Sequence, residues 1–174
     1  MFSIESCSIP EKALLNDYFR EGTYTDCYVT EINTAVPFAQ FVTAFYTTPL
    51  FRLERFILKI AVSRPSTDAQ AKQLAAGSID AFAAWNVEAR GKNQLLMCDF
   101  HRRTRSWLMV APASGTNGTA TRLLFGSAAV PEKHSATGQA MLGFGFKDLL
   151  GFHKIYSVIL LYATKLRLES KHRC

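Results

Sequence analysis

Apolar runs of membrane-spanning length are missing from this 174-residue chain. The longest nearly apolar run, residues 155–163, is about half of the roughly 20 residues a bilayer crossing needs. Ten glycines and six prolines are too few for a collagenous or low-complexity chain, and four scattered cysteines exclude a disulfide miniprotein. Cys7, Cys27, Cys98 and Cys174 form no CxxC pair and have no histidines at zinc-finger spacing, so no metal site is expected. The amino terminus has neither a basic stretch nor a continuous apolar one, unlike a secretory signal, and the expected compartment is the reducing cytoplasm. The sequon at Asn117, Gly118 and Thr119 is then irrelevant. What is there is ample core material. With 48% hydrophobic and 12% aromatic residues, the composition suits one globular domain over residues 1–174.

The net charge of +6 is local. Arg102, Arg103 and Arg105 form one basic cluster. Lys165, Arg167, Lys171 and Arg173, against Glu169, form another around the tail of residues 169–174. Such patches can attract an anionic membrane surface or nucleic acid. They are small and lack the interleaved aromatics that stack bases, so nucleic acid is not the expected partner, and peripheral membrane contact is the weaker alternative to a ligand pocket.

Residues 25–32 alternate as a strand, with Cys27 and Val29 on one face and Asp26, Tyr28, Thr30 and Ile32 on the other. Pro37 opens a helix whose Phe38, Phe41, Val42 and Phe45 make one apolar face. Thr48 and Pro49 cap the next helix, where Leu50, Leu53, Ile57 and Ile60 form the expected buried stripe and Arg52, Arg55 and Lys59 face outward. A third helix follows residues 63–65, opened by a Thr67/Gln70 capping box and closed at Gly77. The period then changes to two. Strands are predicted over 82–90, 94–100, 106–111 and 120–130, joined by turns at 91–93, 101–105 and 114–118, connections short enough to require an antiparallel meander. A helix runs from about residue 141 or 147 to 168, with a loop or kink before 151 because of Gly143, Gly145 and Gly151. Its Phe152, Ile155, Tyr156, Ile159, Tyr162, Ala163 and Leu166 are expected against the sheet, and Lys147, Lys154, Ser157 and Lys165 outside.

One strand, two or three helices, a meander and a long last helix make an α+β order that resembles the helix-grip fold. The residues carrying the resemblance are Tyr24, Asp26 and Tyr28, the segment 49–55, RSWLMVAP at 105–112 and LGFHKIYSVILLYATKLRL at 150–168. They resemble the START-related (SRPBCC) superfamily, which includes polyketide cyclases and relatives of the birch-pollen allergen, and within it a bacterial branch. The resemblance implies a curved antiparallel sheet wrapped around the C-terminal helix over residues 24–168, with a ligand cavity between them. Residues 1–23 are then an amino-terminal extension with a short helix over 13–19.

No catalytic motif accompanies these patterns. The Ser127 context FGSAA lacks the glycine spacing of a nucleophile elbow, no phosphate loop is present, and the four histidines are not spaced as ligands. The expected function is binding of a small hydrophobic or amphipathic molecule by a carrier or sensor without a cofactor. Trp85, Met97, Trp107, Met109 and Phe125 would supply apolar walls, and Glu88, Asp99 and Tyr156 the orienting polar groups. A cyclase- or dehydratase-like enzyme is the alternative. It would need one of those acids inside the cavity with a raised pKa.

Overall fold

The computed structural model describes residues 4–113, 119–130 and 144–172. Among them the architecture is α+β, an open seven-stranded antiparallel sheet with a layer of helices on one face. In chain order the elements are β1 (Glu5–Ser6), α1 (Asn16–Arg20), β2 (Tyr24–Ile32), α2 (Phe38–Tyr46), α3 (Pro49–Val62), α4 (Asp68–Ala75), β3 (Ala81–Phe82), β4 (Trp85–Gly91), β5 (Gln94–Asp99), β6 (Thr104–Pro112), β7 (Thr121–Ala129) and α5 (Phe144–His172). The sheet order is β1-β2-β7-β6-β5-β4-β3. Strands β4 to β7 follow the predicted meander, but the single strand expected over 82–90 is broken after Phe82 into the short β3 and β4, with Ala83 at a φ of 51°, and β7 returns to pair with β2.

Local chemistry sets the helix starts. Thr48 accepts the Phe51 N–H with Pro49 in the first turn of α3, and Thr67 and Gln70 complete the capping box of α4. Gly77, at a φ of 75°, takes the left-handed position after α4 that a side chain would resist. Helix α5 is continuous from Phe144 across Gly145 and Gly151, so the expected break before 151 is absent from the described part. The expected loop at 114–118 and the segment 131–143 lie outside the described residues.

Two cores sandwich the sheet. On the helix side Tyr28, Ile32, Met97, Leu108, Val110, Leu123 and Phe125 meet Phe41, Val42 and Phe45 of α2, Leu74 of α4, and Leu160, Leu161 and Leu168 of α5. On the other side Cys27, Val29, Leu96, Trp107 and Leu124 are covered by the amino-terminal segment through Ala13 and Leu15. Residues 4–20 thus close the second face of the sheet. Gln94 ties them down: its Oε1 accepts from Leu14 N–H and from the Trp107 indole, each at 2.9 Å, and its Nε2 donates to the Lys12 carbonyl at 3.0 Å. Gly126 makes the approach possible, because a Cβ there would stand 2.7 Å from Leu15 and 2.8 Å from the Asp26 carbonyl.

The amino-terminal segment is also held at β1. Cys7 N–H donates to the Cys27 carbonyl, and the two free thiols lie 3.1 Å apart. The Cys27 contact pulls the Cys7 thiol down, and the same contact together with burial pushes Cys27 up. Exposure to a small-molecule disulfide is therefore expected to give first a mixed disulfide at Cys7 and then, by displacement, a Cys7–Cys27 bond. Non-reducing peptide mapping should find the cross-linked pair and a mass lower by two hydrogens. The melting temperature should rise, with a ceiling of about 3 kcal/mol for so short a loop. Persistence of the mixed disulfide alone would contradict this.

Two helices are turned over relative to the sequence reading. On α3, Leu53, Phe56, Ile57 and Ile60 are 55–68% exposed, whereas Phe51 and Arg55 are buried. The reason is Arg55. Its Nε donates to Ser66 Oγ (2.9 Å), one terminal nitrogen to the Ser66 carbonyl (2.7 Å) and the other to Asp68 (2.7 Å), and its guanidinium lies over the Phe82 ring. A guanidinium with its donors matched is a stable interior group, and it fixes the rotation of α3 on α4. On α5 the buried face carries Ser157, Leu160, Leu161, Thr164 and Leu168, while Ile155, Ile159 and Leu166 are exposed. Thr164 satisfies its hydroxyl on the Leu160 carbonyl, whereas the fully buried Ser157 hydroxyl has no partner among the described residues.

Candidate functional site

The rotation of α3 and α5 opens a cavity of about 480 Å³ between those helices and strands β6 and β7. Its deep wall is Phe45, Phe51, Phe125 and Leu160, a continuation of the helix-side core. The exposed Leu53 and Ile57 sit at its mouth. Besides Thr104, Arg105 and Ser106 of β6, polar groups reach it at two points, and both involve α5.

At the first, the Tyr156 hydroxyl donates to Glu54 Oε2 of α3, and the Trp85 indole also hydrogen-bonds this carboxyl. Burial pushes Glu54 above the usual carboxylate range, against the pull of these two donors. Burial and the neighbouring Glu54 also push Tyr156 up.

At the second, Asp26 of β2 stands opposite Ser127 of β7 in the sheet register. Asp26 Oδ1 accepts from both the Ser127 N–H (3.1 Å) and the Ser127 hydroxyl (2.5 Å). His153 Nε2 lies 2.7 Å from the same Ser127 oxygen. The single hydroxyl proton is committed to the carboxylate, so Ser127 accepts from the Nε2–H form of His153. That is the reverse of an activated nucleophile, whose hydroxyl donates to the imidazole. The cluster therefore orients a histidine. Tyr24 donates to Asp26 from 3.4 Å, and burial together with the Asp26 charge pushes its hydroxyl up to about 12.

Of the eight residues singled out in the sequence, Trp85, Phe125 and Tyr156 line the cavity. The other five do not. Met97 faces the helices but is fully enclosed in solid core. Trp107 and Met109 point to the opposite face, under the amino-terminal segment, because alternate residues of β6 face opposite ways. Asp99 accepts the Arg103 and Thr104 N–H groups and closes the β5–β6 turn. Glu88 sits at a bulge between Val87 and Ala89 and pairs with the buried Arg105 at 2.8 Å and with the Tyr18 hydroxyl, on the outer face. Arg105 is thereby removed from the expected basic cluster. Arg105 borders the cavity, but its guanidinium turns away to Glu88 and Tyr18.

Sequence reasoning missed Glu54, Ser127 and His153 as wall residues, and Asp26 as the partner that holds Ser127. Glu54 carried a signal, being the one acid among the four charged residues of α3. Ser127 and His153 carried none, since their meeting depends on how α5 crosses β7. Among the described residues no cluster of three or more His, Cys, Asp or Glu is suited to a metal ion, and no helix is long and apolar enough to cross a membrane. No protein-family model matches this chain, and no curated protein sequence does.

Proposed function

We propose that the chain binds a small apolar or amphipathic molecule in the cavity between α3, α5 and the sheet, as a carrier or sensor. The observation that carries this reading is the cavity itself. Its size falls within the range of about 300–1,000 Å³ typical of small-molecule sites, and its apolar rings surround a few convergent polar groups. The order of elements, an open antiparallel sheet with a long helix at the carboxyl end, supports reading the chain as a helix-grip domain of the START-related superfamily.

Native mass spectrometry of the purified protein is expected to show a copurifying small molecule, and a thermal-shift screen of apolar compounds to raise the melting temperature. Leu58→Trp adds bulk to the half-buried inner edge of α3 and should abolish both effects, at about 1–3 kcal/mol of stability. Absence of any copurifying or stabilising compound would reject the reading.

A second reading, acid–base catalysis of the cyclase or dehydratase kind, draws on His153. Its ring reaches the cavity wall and is held by Ser127 and Asp26, as an orienting partner holds a catalytic imidazole. Glu54 would be its partner acid, since Glu88 and Asp99 lie elsewhere.

A further inference from the structure

We propose that the cavity selects a cationic amphiphile, an amine whose ammonium group sits on the Glu54 carboxylate while its apolar body lies against Phe45, Phe125 and Leu160. The inference rests on the cavity being a ligand site and adds the charge of the ligand's head.

Glu54 is half-buried in the cavity wall, and its hydrogen-bond partners, Tyr156 and Trp85, are both neutral. Among the described residues it makes no salt bridge. The two arginines nearest to it on α3 are engaged elsewhere, since Arg52 and Arg55 both pair with Asp68. The imidazole in the wall, that of His153, is held by Ser127 beside Asp26. One carboxyl group, that of Glu54, and one imidazole therefore face a largely apolar space, while the Arg105 guanidinium at its border is turned away to Glu88.

A carboxylate enclosed without a countercharge is costly. The cost is relieved either by taking up a proton or by a cation that arrives with the ligand. An ammonium head provides that cation and hydrogen-bond donors for the free carboxylate lone pairs. A carboxylate head would meet repulsion from Glu54. A neutral hydroxyl would gain a hydrogen bond and no charge pairing.

Three probes with one alkyl body separate these cases: decylamine, 1-decanol and decanoic acid, titrated into the full-length protein below their micelle concentrations by calorimetry. Decylamine is expected to bind about tenfold more tightly than 1-decanol, and decanoic acid the least. Glu54→Gln should bring decylamine down to the level of 1-decanol and leave 1-decanol unchanged. Glu54→Asp should keep part of the preference. Glu11→Gln, a surface control on the amino-terminal segment, should keep all of it. Melting curves establish that each variant is folded. Equal binding of amine and alcohol, tighter binding of decanoic acid, or an amine preference that survives in folded Glu54→Gln overturns the proposal while the cavity reading stands. If none of the three probes binds, the cavity reading falls with it.

Discussion

A chain ended before Phe152 is expected to lose cooperative unfolding altogether. Helix α5 contributes Leu160, Leu161 and Leu168 to the helix-side core, all fully or almost fully buried, and packs against β2, α2 and α3. Each such side chain is worth about 1.5–3 kcal/mol. Their removal would also expose Tyr28, Phe41 and Phe45 of the same core. The combined loss is of the order of the whole stability of a domain, about 5–15 kcal/mol. Differential scanning calorimetry provides the check: a sharp transition with normal enthalpy in the shortened chain would mean that the sheet and α2–α4 form a complete core without α5. The cavity could not survive either way, since it loses the wall formed by His153, Tyr156 and Leu160.

Trp107→Ala should cost about 3–5 kcal/mol, the largest effect expected of a single substitution. The indole is fully buried between the sheet and the amino-terminal segment, and its N–H shares Gln94 Oε1 with the Leu14 N–H. The substitution empties the middle of the second core and loosens the side chain that fastens residues 12–14. Chemical denaturation should show a lower midpoint. Native-state hydrogen exchange should show faster exchange at Leu14 than in the parent protein. Ligand binding should be spared in the folded fraction, because Trp107 is on the face away from the cavity. Impaired binding in folded Trp107→Ala would show that the two faces are coupled through the sheet.

This division of labour explains why the exposed apolar residues matter. Leu53 and Ile57 lie outward on α3 and also edge the cavity, so on the proposed reading an apolar ligand would meet a surface of its own polarity before entering. The inner edge of the same helix presents Glu54. One helix thus contributes both the apolar approach and the polar anchor, through residues one position apart.

The sequence by itself determined most of the elements and their order, the exceptions being β1 and the split of 82–90 into β3 and β4. Alternation at β2 placed Tyr28 and Ile32 opposite Cys27 and Val29, as observed, and Thr48, Thr67 and Gly77 marked helix boundaries with local hydrogen-bonding and backbone chemistry. Short connections required the antiparallel meander. Trp85, Phe125 and Tyr156 are expected as wall residues on the same ground as Trp107, Met97 and Met109, large apolar side chains on strands and the last helix, and only the first three reach the cavity. Tertiary structure alone decided the rest. Periodicity defines an apolar stripe but not which side of the helix meets the core, and the buried Arg55 with its partners turned the stripe of α3 outward. Strand alternation likewise leaves open which face meets the helices, so Trp107 and Met109 went to the amino-terminal side, and one bulge carried Glu88 there as well. Asp26, Ser127 and His153 come together from residues up to 127 positions apart, and Tyr156 reaches Glu54 across 102. Such contacts are set by the angle at which one helix crosses a sheet. That angle depends on the summed packing of the whole core, and no local pattern encodes it.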